Sequence, residues 1–530
     1  MNPRKIALTI SVALACVLAC VNVLAQATST PFASGLKAPT KSVLTGRGNL
    51  LVAEAGNGPN TGRLSLIDRN TGARRTILDG LPSGINALGG APAPSGPSGL
   101  ALAGDTLYMT ISTGDSVEPG PNPGTEKESP APSSPIMSSV LSIRASSNVE
   151  TGTASFALTS ADHTTLKNGG QVVLSTALGE TLTIELVVDF PNFVAEPRPD
   201  FPANVRASNP FGVAVSGGLL YVNDAGLNLV KTVGIFSHTS ATLTTFAPIA
   251  RTSMTPPGPP VMDAVPDSVR LYGDQLLVTL LTGFPFEQGR SEVRKVDLVG
   301  GGQTTFIGGL STAIDMHAIR RGSNPDHFLV LEFSTNMLGG APGRMLYFSS
   351  TAGPPFVFTS PLVSPTSISR DRRTGDVFIT QIFPGLVARV DGARFFVRQH
   401  YLDFLGREPD IDGWDFWTNQ IASCGNDEGC RDRKQVDVSR AFYYSGEFIA
   451  AHPELAANLR GTTTYNRAFV KQAYLTYLQR TCDPEVCDAA GFNFWVNILN
   501  SKIPNTDAHY NEMIRAFILS SEYRARLGLS

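Results

Sequence analysis

The signatures by which many enzymes announce themselves are missing from this chain. It has no G-x-S-x-G elbow, no H-E-x-x-H zinc helix, no phosphate-cradling loop and no dinucleotide fingerprint. Charge is sparse too: 16 % of residues are charged against 42 % hydrophobic, so the surface must be built from Ser, Thr, Gly and Pro, as in extracellular all-β proteins. Cysteine is confined to Cys16 and Cys20 near the N-terminus and to Cys424, Cys430, Cys482 and Cys487 in the last quarter. Only one apolar run is long, residues 6–24, and nothing else could cross a bilayer as a helix. It follows Arg4 and Lys5 and ends in Ala25-Gln26-Ala27, the layout of a secretory signal peptide over 1–25. A membrane anchor is the rival reading, and Val17-Leu18-Ala19-Cys20 loosely resembles a lipoprotein processing site that would lipidate Cys20. Removal of the leader leaves 40 basic against 45 acidic residues, a net charge near −5 that argues against nucleic acid as a partner. The expected location is secreted, periplasmic or cell-surface.

What is present is repetition. Short apolar runs at 51–54, 107–110, 220–224, 276–279, 328–332 and 377–380 each follow a tight turn, at a spacing near fifty residues. Short strands and Gly-rich turns at that period predict an all-β propeller over 31–391, with six blades. The interval between the second and third runs is doubled; 171–174 and 182–188 read there as a hairpin inserted in blade two, and a seventh blade is left open. Residues 32–36 repeat the endings of later blades at 77–81 and 306–310, while the last blade has three strands, so the N-terminal strand is expected to supply its fourth. Long segments (84–97, 114–137, 191–210, 252–266, 282–291, 334–343) all fall to one face and short turns to the other, which is how binding loops decorate a rigid scaffold. Tolerated insertion is the plainer reading of such loops, and for 119–134 disorder stands beside a role.

Two stretches carry a family likeness. Ser208-Asn209-Pro210-Phe211-Gly212 ahead of Leu220-Tyr221-Val222-Asn223-Asp224-Ala225-Gly226-Leu227-Asn228, and Leu281-Thr282-Gly283-Phe284-Pro285-Phe286-Glu287-Gln288-Gly289, resemble the ScyD/ScyE family. That family consists of exported propellers linked to biosynthesis of the pigment scytonemin. The resemblance covers about 32–391 and implies an exported propeller, but no reaction and no catalytic residues. Thr279-Leu280-Leu281 departs from the family's acidic residue in the fourth blade.

From Phe396 the period becomes helical. Phe396-Val397-Arg398-Gln399 recurs as Phe469-Val470-Lys471-Gln472, Gly413-Trp414-Asp415-Phe416-Trp417 as Gly491-Phe492-Asn493-Phe494-Trp495, and Arg440-Ala441-Phe442 as Arg515-Ala516-Phe517. Two copies of a three-helix unit over 393–530 follow, their aromatic positions serving as core. An even number of cysteines in an exported chain reads as two disulfides, and the loop positions favour Cys424 with Cys430 and Cys482 with Cys487; zinc is the rival, without paired histidines beside them. Leu405-Gly406-Arg407-Glu408-Pro409-Asp410 with Gly413 and Trp417 resembles a bacterial domain of unknown function appended to secreted and surface-layer proteins, which implies attachment or assembly. Glu408, Asp410, Asp412 and Asp415 mimic the start of a calcium loop, but Asn419 stands where a bidentate Glu is needed, and Asp410 reads better as a helix N-cap.

Candidate chemistry is positional. Glu54, Asp224 and Glu332 end second strands, and Asp267 and His317 are placed at the starts of innermost strands on the same loop-rich face. Converging there they could hold calcium and activate water, as in propeller lactonases; strand-end acids that cap turns are the alternative, and the one these residue types favour. The functional expectation is a secreted scaffold binding a small molecule, glycan or envelope protein through its loop-rich face, with the helical module attaching it. A metal-dependent propeller hydrolase is the second reading.

Overall fold

The computed structural model describes residues 29–89, 91–122, 124–501 and 507–529. The expected leader, with Cys16 and Cys20, lies outside them. Six antiparallel sheets form the blades, and their innermost strands are Pro39–Leu44, Pro97–Ala103, Pro210–Ser216, Pro266–Tyr272, Ala313–Arg321 and Pro365–Arg370. Proline opens five of the six because the first residue of a strand can lack an N–H without breaking a ladder. Just inside that first residue every inner strand shifts register by a bulge. Hydroxyls at the bulges, or opposite them, reach the neighbouring blade. Thr40 Oγ1 donates to Pro97 O (2.9 Å), Ser98 Oγ to Pro210 O (3.0 Å), Thr279 Oγ1 to Ile314 O (3.2 Å) and Thr366 Oγ1 to Pro39 O (3.1 Å). Blade-to-blade packing is tight enough there that a Cβ at Gly99 would sit 2.7 Å from Phe211 O, so only glycine fits.

The ring closes as the sequence anticipates. Thr30–Ser34 pairs antiparallel with Leu386–Val390 and becomes the fourth strand of blade six. The expected hairpin is present in blade two, Val172–Ser175 pairing with Thr181–Asp189, but its second strand is not an insertion. Thr181–Asp189 is its own outer strand, paired with Ser139–Ala145, and Val172–Ser175 adds a fifth beyond it. The extra material is residues 146–180, which leave from the short-turn face, carry the helix Ser160–Lys167, and lay Phe156–Ala157 parallel on the edge of blade one. The segment weighed between disorder and a role is fastened to the loop face: Val117–Glu118 pairs with Lys127–Glu128, and buried Ser134 meets buried His163 at 3.1 Å.

The six principal helices are Ala393–Leu405, Ile411–Ala422, Glu428–Tyr443, Thr463–Leu478, Ala489–Ser501 and Asp507–Ile518. The copies meet reciprocally: Arg440 of the first pairs with Asp507 of the second (3.8 Å), and Arg515 of the second with Asp432 of the first (3.0 Å). Such mutual exchange is the mark of a two-fold contact. Asp410 and Asp488 cap equivalent helices through Gly413 N and Gly491 N, and Arg407–Glu447 repeats as Arg480–Glu522. The helices share a continuous apolar core with blades five and six, where Phe358 lies 4.5 Å from Phe395 and 5.5 Å from Trp414, centroid to centroid. They dock on the short-turn face: Arg370 donates to Gly528 O and Leu527 O, Arg373 pairs with Glu428, and Asn426 reaches Asn70 O.

Candidate functional site

Glu54, Asp224 and Glu332 occupy equivalent positions, each opposite the first residue of its blade's inner strand, and each is fully buried. Each closes on its own blade. Glu54 accepts from Lys37 N and Ser65 Oγ. Asp224 accepts from Ser208 Oγ, Asn209 N and Leu227 N (2.6–3.0 Å), and Glu332 from Ser311 N (2.7 Å) and Arg344 Nε (2.5 Å). In blade six Gln381 does the same for Val363 N (2.6 Å). The reason lies one residue further on: Ala38, Thr312 and Ser364 have φ of 54°, 45° and 49°, left-handed conformations costing about 1–3 kcal/mol each for residues with a Cβ. A side-chain acceptor clamps each of these turns where the chain enters the inner strand. In blade four the equivalent residue is Leu280, and Asn228 Oδ1 accepts from Val265 N instead. These acids thus serve as latches within separate blades.

The channel wall holds a different cluster. Asp315, fully buried in blade five, accepts from Ser268 Oγ (2.5 Å), Arg270 Nε and Nη2 (3.0 and 2.5 Å) and Ile368 N (2.8 Å), and pairs with Lys41 Nζ of blade one at 3.2 Å. Arg270 continues to Ile368 O at 2.8 Å. Blades one, four, five and six are thereby tied across the channel by a single buried ion cluster. Burial alone would raise the Asp315 carboxyl, but Arg270 and Lys41 outweigh it and hold the group well below the usual carboxylate range. Asp267 is the opposite case: buried, with Oδ2 lacking any hydrogen-bond partner, it is pushed up to about 8 by desolvation, with Lys41 only partly opposing. Burial lowers Lys41 in turn, against the pull of Asp315.

His317 is not at a strand start. It is the fifth residue of Ala313–Arg321, paired with Leu329 and midway down the channel, so it does not share the loop-side position of Asp267. Desolvation and the nearby Arg270 and Arg370 drive its pKa down to about 3, leaving a neutral imidazole. Among the described residues no group of three or more His, Cys, Asp or Glu is arranged to hold a metal ion. Three of the four acids of the helical repeat are individually engaged, Asp410 as the N-cap, Glu408 by Arg398 and Asp415 by Arg394 at 2.6 Å, and Asp412 lies in the first turn of Ile411–Ala422. Cys424 bonds Cys430 and Cys482 bonds Cys487. Sequence reasoning missed Asp315, Lys41 and Arg270. The signal available was register: Lys41, Ser268, Asp315 and Ser367 are equivalent positions just past the bulge, visible only once the strands are aligned.

No family profile and no curated protein matches the chain. Solved structures with similarity include a chain of the Nidogen/Laminin complex (11 % identity, 63 % of this chain and 89 % of that one, TM-score 0.31). Streptogramin B lyase (11 %, 68 % and 96 %, TM-score 0.34) and the hydrazine synthase of Kuenenia stuttgartiensis (12 %, 68 % and 79 %, TM-score 0.35) are others. At these identities and TM-scores the likenesses say nothing of what this chain binds or does.

Proposed function

We propose that this chain is an exported scaffold whose propeller, residues 31–391, binds a small molecule, glycan or envelope protein through its loop-rich face, while the helical repeat, 393–530, serves attachment or assembly. One observation carries the reading: the helices dock on the short-turn face of blades five, six and one, and take no part in the opposite face, which bears 82–96, 112–138, 190–209 and 246–265. Those loops are pinned by specific contacts, such as Glu287 holding Thr252 N (2.8 Å) and Ser253 N (3.1 Å), which suits preorganised recognition. The two disulfides agree with a non-cytoplasmic location, and among the described residues no helix is long and apolar enough to cross a membrane. The ScyD/ScyE likeness supports export and a propeller; a role in pigment synthesis is not part of the proposal.

The test compares binding of the full chain to a glycan array and to isolated cell envelopes with that of two variants, one with 252–261 replaced by a short Gly-Ser turn and one with 147–152 so replaced. Loss of at least about tenfold in affinity in the first alone is expected. Equal binding by the first variant, or loss confined to the second, would overturn the loop-face assignment. The hydrolase reading keeps one supporting observation, the unpartnered Asp267 carboxyl. It requires Asp267→Asn to abolish a calcium-dependent turnover while the variant stays folded.

A further inference from the structure

Toward the short-turn face from the ion cluster lies a cavity of about 330 Å³, and no helix of the C-terminal repeat contributes to its walls. Its two sides differ. Blades two, three and four present Ala101, Ala214, Val215 and Leu271; blades four, five and six present Arg270, His317, Arg320 and Arg372. The cations are not equally committed. Arg270 is spent on Asp315, and Arg320 is paired with Asp326 (2.6 Å) and stacked over Tyr272 (4.1 Å). Arg372, in the turn 371–376, has neither a carboxylate nor a hydrogen-bond acceptor among the described residues, and the His317 ring makes no hydrogen bond to protein there. A half-buried imidazole without a protein partner, beside an uncompensated guanidinium and opposite an apolar wall, is a site lacking one anionic acceptor.

We propose that this cavity binds a small monocarboxylate with a short apolar body. Arg372 takes the carboxylate, His317 donates one N–H to it, and the body lies against Ala101, Ala214 and Val215. A single carboxylate matches the one cavity-lining guanidinium that no protein carboxylate engages, and the apolar wall opposite offers a dianion no second donor. A ligand with no apolar body loses the burial of every missing methylene, so acetate should bind at least about tenfold more weakly than hexanoate. This site lies on the face opposite the loops, so its failure and the failure of the loop-face reading are separately observable.

Calorimetric titration of the full chain with hexanoate, with acetate, hexanol, hexylamine and sulfate as comparisons, tests it. Saturable 1:1 binding of hexanoate is expected, at least about tenfold tighter than acetate or hexanol, with none for hexylamine or sulfate. Arg372→Gln, an exposed turn substitution, should weaken hexanoate about tenfold or more while the unfolding midpoint stays put, and His317→Ala should weaken it as well. Equal binding of sulfate or hexanol, no binding of hexanoate, or an Arg372→Gln variant that binds as the wild type would each overturn the proposal.

Discussion

Asp267 and Asp315 stand in neighbouring blades of one channel wall, and their surroundings drive their carboxyls in opposite directions. Asp315 gains five donors and two cations; Asp267 gains burial and a distant ammonium. The consequences for stability have opposite signs. With its folded pKa near 8 against an ordinary 3.8, Asp267 keeps a proton in the native state that the unfolded chain releases. Stability therefore falls as pH rises from about 4 to about 8, by up to about 1.4 kcal/mol per unit, and levels off above that. Asp267→Asn, which mimics the protonated form, should remove this slope and leave the variant more stable than wild type at pH 9; parallel urea-denaturation curves from pH 5 to pH 9 would refute the assignment. The depressed Asp315 contributes stability that is present above about pH 4 and lost on further acidification, as its carboxylate is protonated. Asp315→Asn strips the buried Lys41 and Arg270 of their shared counter-ion, and a loss of about 3–5 kcal/mol at pH 7 is expected in denaturant titration. Asp267 was legible as a strand-start acid beside a proline. Asp315 was not, because nothing local distinguishes it from Asp263 or Asp274 until the bulge is counted.

At the scale of elements, the strand-end acids act through turns, and blade six supplies the control. Gln381 performs with an amide what Glu332 performs with a carboxylate, so Glu332→Gln should cost less than about 1 kcal/mol. Glu332→Leu leaves Ser311 N unsatisfied beside a left-handed Thr312 and should cost about 1–3 kcal/mol. A catalytic Glu332 would instead lose its function in both variants. Each disulfide closes a short loop, with sequence separations of 6 and 5, so reduction should lower unfolding free energy by only about 2 kcal/mol apiece. The helical repeat was readable because its periodicity is fixed by packing. Gly413 and Gly491 recur since a Cβ there would lie 2.2 and 2.5 Å from the hydroxyls of Tyr401 and Tyr474, contacts both copies preserve. Blade two was legible as a hairpin but not as a blade strand, for the converse reason. Its outer strand Thr181–Asp189 is separated from its partner by 35 residues, and outer strands, half-exposed, lack the buried run that marks inner ones.

Across the whole molecule, the sequence foretells two architectures but not that they share a core. A change of period at Phe396 says where strands give way to helices; which surfaces meet afterwards depends on side chains such as Tyr347, Phe356 and Phe358, which in one dimension read as ordinary blade residues. Two strands meet at that junction. Leu386–Val390 ends at the short-turn face and runs straight into the helix Ala393–Leu405, because the strand that would otherwise follow it is supplied by Thr30–Ser34. Blade six thus depends on the N-terminal strand for closure and on the helices for its cover. Arg321 and Arg370 add buried bonds from the inner strands of blades five and six to the carbonyls of Arg526, Leu527 and Gly528. A module merely tethered to the propeller would unfold by itself, whereas a shared core makes the transition common to both. All three tryptophans, Trp414, Trp417 and Trp495, lie in the helices, so their fluorescence reports the repeat while far-ultraviolet dichroism near 218 nm is weighted toward the propeller's strands. The two signals should give coincident urea midpoints. Phe358→Ala, made in the propeller, should destabilise by about 3–5 kcal/mol and move the tryptophan midpoint with the strand signal. Deletion of 29–36, which opens the ring, should likewise lower both together. Separate transitions, or a tryptophan midpoint indifferent to Phe358→Ala, would show the helices to be an independent body and return them to the role of a tether.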